Sequence, residues 1–87
     1  MAVPHIILFS DAGFHGAHKH VSETTPFLDD FNDVLSSFII LEGTWRFFIN
    51  AGFDGLTGPV SGLGPGVYPW VGNVGIDNDA VSSLQVV

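Results

Sequence analysis

Residues 78–83 read N-D-A-V-S-S, and the same pattern already stands at residues 32–37 as N-D-V-L-S-S. Each copy sets two oxygen-bearing side chains, Asn32 and Asp33 or Asn78 and Asp79, before two apolar residues. Two hydroxyls follow, Ser36 and Ser37 or Ser82 and Ser83. Carboxylate, carboxamide, hydroxyl and main-chain carbonyl oxygens carried on loops are ligands for a hard cation, and calcium suits them best. A single copy reads as an ordinary Asx turn, in which Asn or Asp bonds its own backbone. Two copies weigh against that reading because a second element repeats with them.

That element is a hairpin loop. Phe9, Phe14 and Gly16 recur as Phe48, Phe53 and Gly55, each set reading aromatic, four residues, aromatic, one residue, glycine. The offset is 39 residues for this element and 46 for the acidic one, so the second half carries seven extra residues. Internal repetition of this kind means one supersecondary unit used twice. In each unit the aromatic pair can pack across the folded loop, and the glycine permits a positive φ or a close approach.

Short strands must position these loops. Eleven glycines and five prolines, set among many Val, Ile and Phe, favour strands and tight turns over helices, so an all-β fold is expected. Residues 5–9 form the first strand and residues 16–21 the second, with a hairpin between them. Phe27 and Leu28 begin a short third strand, and residues 37–41 make the fourth. Residues 45–49 open the second half. The Gly- and Pro-rich stretch over residues 55–66 predicts an edge strand with breaks. Tyr68, after L-G-P-G-V, has the setting of a tyrosine corner, in which the phenol ties an arch to nearby backbone, and residues 69–76 take up the extra length. In the closing strand, residues 83–87, Leu84 and Val86 face the core and Gln85 faces water. Phe38 and Ile40 then point inward and Ile39 outward, an apolar residue where its repeat-mate is polar. A sheet face near Ile39 is therefore a candidate for a weak homodimer contact.

Composition narrows the partners. The 87-residue chain carries nine acidic and two basic residues, a formal charge of −7, which repels nucleic acid and anionic lipid and attracts cations. It has no cysteine, which removes disulfides, thiolate metal sites and a cysteine nucleophile. No serine sits in a Gly-x-Ser-x-Gly elbow, so an enzyme is not expected. The longest apolar runs are too short to span a bilayer, and no signal peptide opens the sequence, which leaves cytoplasmic and secreted locations both open. His15, His18 and His20 invite a zinc reading. Alternate-residue histidines on a sheet face are usually solvated, however, and no carboxylate is placed by the sequence to orient them. His5 reads as an edge or terminal residue.

The four motif copies, two hairpins each followed by an acidic-serine loop, resemble the βγ-crystallin family, specifically its microbial calcium-binding single-domain branch, and the resemblance covers essentially the whole chain. It implies one domain over residues 1–87 with two Greek keys, residues 4–42 and 43–87. Two four-stranded antiparallel sheets would pack as a sandwich, exchanging one strand between halves. It also implies two calcium sites. The first would use Asn32, Asp33, the carbonyl of Val34, the hydroxyl of Ser82 and the carbonyl of Ser10. The second would use Asn78, Asp79, the carbonyl of Ala80, the hydroxyl of Ser36 and the carbonyl of Ile49. Ser37 and Ser83 would be structural, holding the turns by side-chain to backbone bonds. Many relatives carry a glutamate where this chain has Ser10 and Ile49, and the lost charge implies modest affinity. The implied function is calcium binding that raises domain stability, serving stress tolerance, a coat or matrix, or calcium buffering. The alternative is a structural or protein-binding domain of the same fold without metal.

Overall fold

The computed structural model describes residues 3–28, 31, 34–78 and 80–87. Among the described residues seven strands form in chain order: β1 (His5–Asp11), β2 (His15–Val21), β3 (Ser37–Glu42), β4 (Trp45–Asn50), β5 (Asp54–Thr57), β6 (Gly66–Tyr68) and β7 (Ser83–Val86). All pairings are antiparallel, and they make two sheets, ordered β2-β1-β3-β6 and β5-β4-β7. No α-helix forms among the described residues, and a 3-10 turn, Val71–Val74, lies between β6 and β7.

Each half lends a segment to the other's sheet. From the second half, β6 pairs with β3, matching Tyr68 to Phe38 and Val67 to Ile39. From the first half, Thr25 makes a reciprocal pair of backbone hydrogen bonds with Leu84 of β7. The second sheet therefore has three strands and a one-residue bridge where a fourth strand was expected. The bridge also falls at Thr25 rather than at Phe27 and Leu28. Pro26 explains both differences, because it has no N–H to continue the ladder. Phe27 beyond it is exposed, and pairing resumes only with the Leu28 N–H donating to the Ser82 carbonyl.

The core lies between the sheets and follows the strand period of two. Ile6, Leu8, Phe38 and Ile40 point inward from the first sheet, and Trp45, Phe47 and Leu84 from the second. Phe38 sits with its ring centroid 4.7 Å from that of Phe47 and an equal distance from that of Tyr68. Leu28, Phe31, Leu35, Val71, Ile76 and Val81 fill the ends from the loops. Leu35 and Val81 are the fourth residues of the two acidic-serine motifs, and both are fully buried. Each loop is thus anchored in apolar surroundings.

Two strand positions on the outer faces are less exposed than simple alternation implies. Gln85 and Val86 are both half-buried, so the alternation of β7 fades toward its end, where only β4 and Thr24 flank it. Ile39 is half-buried on the outer face, because its neighbours in register, Ile7 and Val67, cover it from both sides. The stretch after β5 breaks as its composition predicts. Pairing stops at Gly58 and Pro59 and returns as the single bridge Leu63 to Trp45. The extra length of the second half then braces the first. The Val71 N–H donates to the Ser36 carbonyl, and the Gly13 N–H to the Pro69 carbonyl. Tyr68 closes the arch with its hydroxyl donating to the Gly64 carbonyl at 2.7 Å.

Candidate functional site

The two hairpin loops are built alike. The rings of Phe9 and Phe14 meet edge to face at 5.6 Å, and those of Phe48 and Phe53 at 5.8 Å. Both second aromatics have positive φ, 64° at Phe14 and 62° at Phe53, a conformation uncommon outside glycine. They hold it because a buried serine hydroxyl pins each loop from below. Ser37 Oγ donates to the Asp11 carbonyl at 2.6 Å and accepts the Phe14 N–H at 3.0 Å. Ser83 Oγ does the same for the Asn50 carbonyl at 2.7 Å and the Phe53 N–H at 3.2 Å. Gly16 and Gly55 have φ of 82° and 75°, and a Cβ on either would collide with the side chain of Ser10 or Ile49.

The serine one place earlier in each motif faces the other half or its own hairpin carbonyl. Ser36 Oγ donates to Asn78 Oδ1 at 2.7 Å across 42 residues of sequence. Ser82 Oγ donates to the Ile49 carbonyl at 2.9 Å. The register dictates both positions. β3 pairs Ser37 with Phe9, so the Ser36 N–H reaches the Phe9 carbonyl, and β7 pairs Ser83 with Phe48, so the Ser82 N–H reaches the Phe48 carbonyl. Each serine therefore travels with the hairpin of its own half.

This placement rearranges the expected ligand sets. Ser36 and Asn78 come together as the resemblance implies. Ser82, however, bonds the Ile49 carbonyl that the resemblance assigns to the site of Ser36, and the Ser36 N–H reaches the carbonyl of Phe9, one residue before Ser10. The side chain of Ser10 is already engaged, its Oγ accepting the Ala17 N–H at 2.9 Å, so its main-chain carbonyl is the group to consider. Val34 and Ala80 are half-buried within the two loops. Asn32, Asp33 and Asp79 lie outside the described residues. Among the described residues no three His, Cys, Asp or Glu side chains converge as a metal-ligating group, so the donors in view are hydroxyl, carboxamide and carbonyl oxygens.

Ser36 Oγ with Asn78 Oδ1 and Ser82 Oγ with Ile49 O stand at ordinary O–H···O hydrogen-bond distances of 2.7 and 2.9 Å. Sequence reasoning missed one positioning residue. Thr57, at the end of β5 and buried, accepts the Asp77 N–H at 3.0 Å and so holds the approach to Asn78. A buried Thr closing an edge strand just before Gly-Pro was the available signal.

Comparison with known proteins places this architecture. A family model for Beta/Gamma crystallin matches residues 5–87. A beta/gamma-crystallin of Ciona intestinalis is 39% identical over 82 residues, 92% of this chain and 94% of the relative. Among solved structures, a βγ-crystallin from an archaeon superposes with a TM-score of 0.89 at 28% identity, covering 99% of this chain and all of that one. A transition-metal-ion-binding βγ-crystallin from Methanosaeta thermophila gives a TM-score of 0.79 at 30% identity over 93% of this chain and 98% of that one.

Proposed function

Since the chain belongs to the βγ-crystallin family, we propose that it is a calcium-binding, calcium-stabilised module with two sites, one at each paired loop. The observation that carries this reading is the Ser36 to Asn78 contact, which brings an oxygen of each acidic-serine motif together from different halves of the chain. One site would take Asn78, Asp79, the Ala80 carbonyl, the Ser36 hydroxyl and the Ser10 carbonyl. The other would take Asn32, Asp33, the Val34 carbonyl, the Ser82 hydroxyl and the Ile49 carbonyl. The oxygen donor set favours a hard cation over the transition metals bound by the Methanosaeta relative. Magnesium competes poorly, since it demands a tight octahedron and gives up its water reluctantly.

Calcium supplies charge neutralisation and crosslinking when bound; the chain's own contribution is to hold the donors in place beforehand. Two ions would bring the formal charge from −7 to −3 and relieve self-repulsion. An ion that binds only the folded form adds about 2.7 kcal/mol per site at a hundredfold excess over its Kd. That is a large share of the 5–15 kcal/mol that natural domains typically have. A thermal melt in calcium and in chelator tests the reading: a midpoint raised by calcium supports it, and an unmoved midpoint rejects it.

The second reading is a structural or protein-binding domain of the same fold lacking metal, in which the Ser36 and Ser82 hydrogen bonds serve only to close the loops. The same melt separates the two.

A further inference from the structure

One residue from each strand of the first sheet lines up in a single row on its outer face. The register sets His20 of β2 beside Ile7 of β1, Ile7 beside Ile39 of β3, and Ile39 beside Val67 of β6. On the first three strands these residues alternate with the buried Val21, Ile6, Leu8, Phe38 and Ile40, so the row lies on the face away from the core. Ile7 and Ile39 are half-buried, and the two ends of the row, His20 and Val67, are exposed. At a strand spacing of about 4.8 Å the row runs about 14 Å across the sheet.

Charge decides what can cover it. Only two of the nine acidic residues fall in the strands of this sheet, and these, Asp11 and Glu42, end β1 and β3. The row itself carries no carboxylate, so two copies of a chain with net charge −7 can meet here without setting acid against acid. A cationic partner would be drawn to the acidic loops instead. The row is also self-complementary. A two-fold axis parallel to the strands and midway between β1 and β3 lays Ile7 over Ile39 of the second copy and His20 over its Val67, in the aligned packing of stacked sheets.

From this arrangement we infer that the outer face of the first sheet forms a weak homodimer that acid opens, with His20 as the switch. The row is small beside the roughly 800 Å² per partner of a stable interface, which keeps the dimer weak. His20 Nδ1 lies 2.9 Å from His5 Nε2, and the His18 ring packs edge-on against it with centroids 5.4 Å apart. Glu42 stands opposite His5, Asp11 pairs with His15 at the far end of β2, and Lys19 belongs to the other face by alternation. The groups that meet His20 are thus two further histidines. Histidine is the side chain whose charge ordinarily changes between pH 5 and 8. Neutral, the His20 ring can rest on an apolar neighbour. Protonated, it brings a desolvated cation to that contact twice per dimer, with His5 and His18 adding like charge.

The sign of the pH effect separates this from general charge repulsion. Protonating all four histidines takes the formal charge from −7 to −3, which by itself would favour association in acid. Sedimentation equilibrium at about pH 7.5 and about pH 5.5, in roughly 0.3 M salt to screen that long-range term, reads the difference. Chelator in both buffers keeps the calcium loops out of the result. The dimer Kd should rise by about tenfold or more on acidification, because both His20 rings must shed a proton to close the contact. H20F should dimerise at both pH values, and H20K should be monomeric at either, with a thermal melt of each confirming the fold. A parent protein that is monomeric at every concentration, or that associates equally or more tightly at the lower pH, would overturn the proposal. So would an H20F dimer as acid-sensitive as the parent, or an H20K protein that still dimerises.

Discussion

Replacing Ser36 by alanine separates a loop-closing hydrogen bond from a metal ligand. The hydroxyl is buried, whereas its acceptor, Asn78, is exposed and can turn to water, so no buried polar atom is stranded. In chelator the loss should therefore be about 1 kcal/mol, the net value of one such bond. For a domain of this size that lowers the midpoint by about 4–8 °C. Calcium should widen the gap. If losing the hydroxyl weakens its site tenfold, then at a free calcium concentration a hundredfold above the parent's Kd that site contributes about 1.4 kcal/mol in place of about 2.7. The deficit then grows from about 1 to about 2.3 kcal/mol. Parallel melts of parent and S36A at fixed free calcium and in chelator read both numbers. An identical gap in the two conditions would show that Ser36 only closes the loop, and the site would have to be redrawn without it.

Other expectations follow from single contacts. Gly55→Ala puts a Cβ against the Ile49 side chain at a φ of 75° and should cost about 1–3 kcal/mol in a urea melt; a neutral outcome would mean the hairpin can relax. Tyr68→Phe removes the bond to the Gly64 carbonyl but keeps the stack on Phe38, so about 1 kcal/mol should be lost with little change in the near-ultraviolet spectrum. Weak self-association through the outer face around Ile39 and the exposed Val67 should appear in sedimentation equilibrium at high concentration and vanish in V67S; a monomer at every concentration rejects that contact.

Much of the fold was readable from the residues themselves. The aromatic and glycine spacing of the hairpins, repeated at Phe9, Phe14 and Gly16 and at Phe48, Phe53 and Gly55, marks loops whose backbone the structure shows to be alike. The inward residues of β3, Phe38 and Ile40, also followed from simple alternation. The one-residue bridge at Thr25 was harder to see, because Phe27 and Leu28 look like strand and only the missing N–H of Pro26 says otherwise. The bond from Ser82 to the Ile49 carbonyl was legible in principle, because pairing Ser83 with Phe48 carries Ser82 to that hairpin. The resemblance supplied ligand types without that register. His5 opens β1, as a terminal residue should, but its ring contact with His20 could not be read from the sequence. Diagonal contacts depend on sheet twist and on which strands pair, and neither is written in local sequence.

Calorimetric titration of calcium into the chelator-treated, dialysed protein addresses the two-site proposal most directly. Two equivalents should bind, and S36A and S82A should each weaken one of them while leaving the other intact. A parent protein that takes up no calcium, or a single equivalent untouched by either serine, would contradict it.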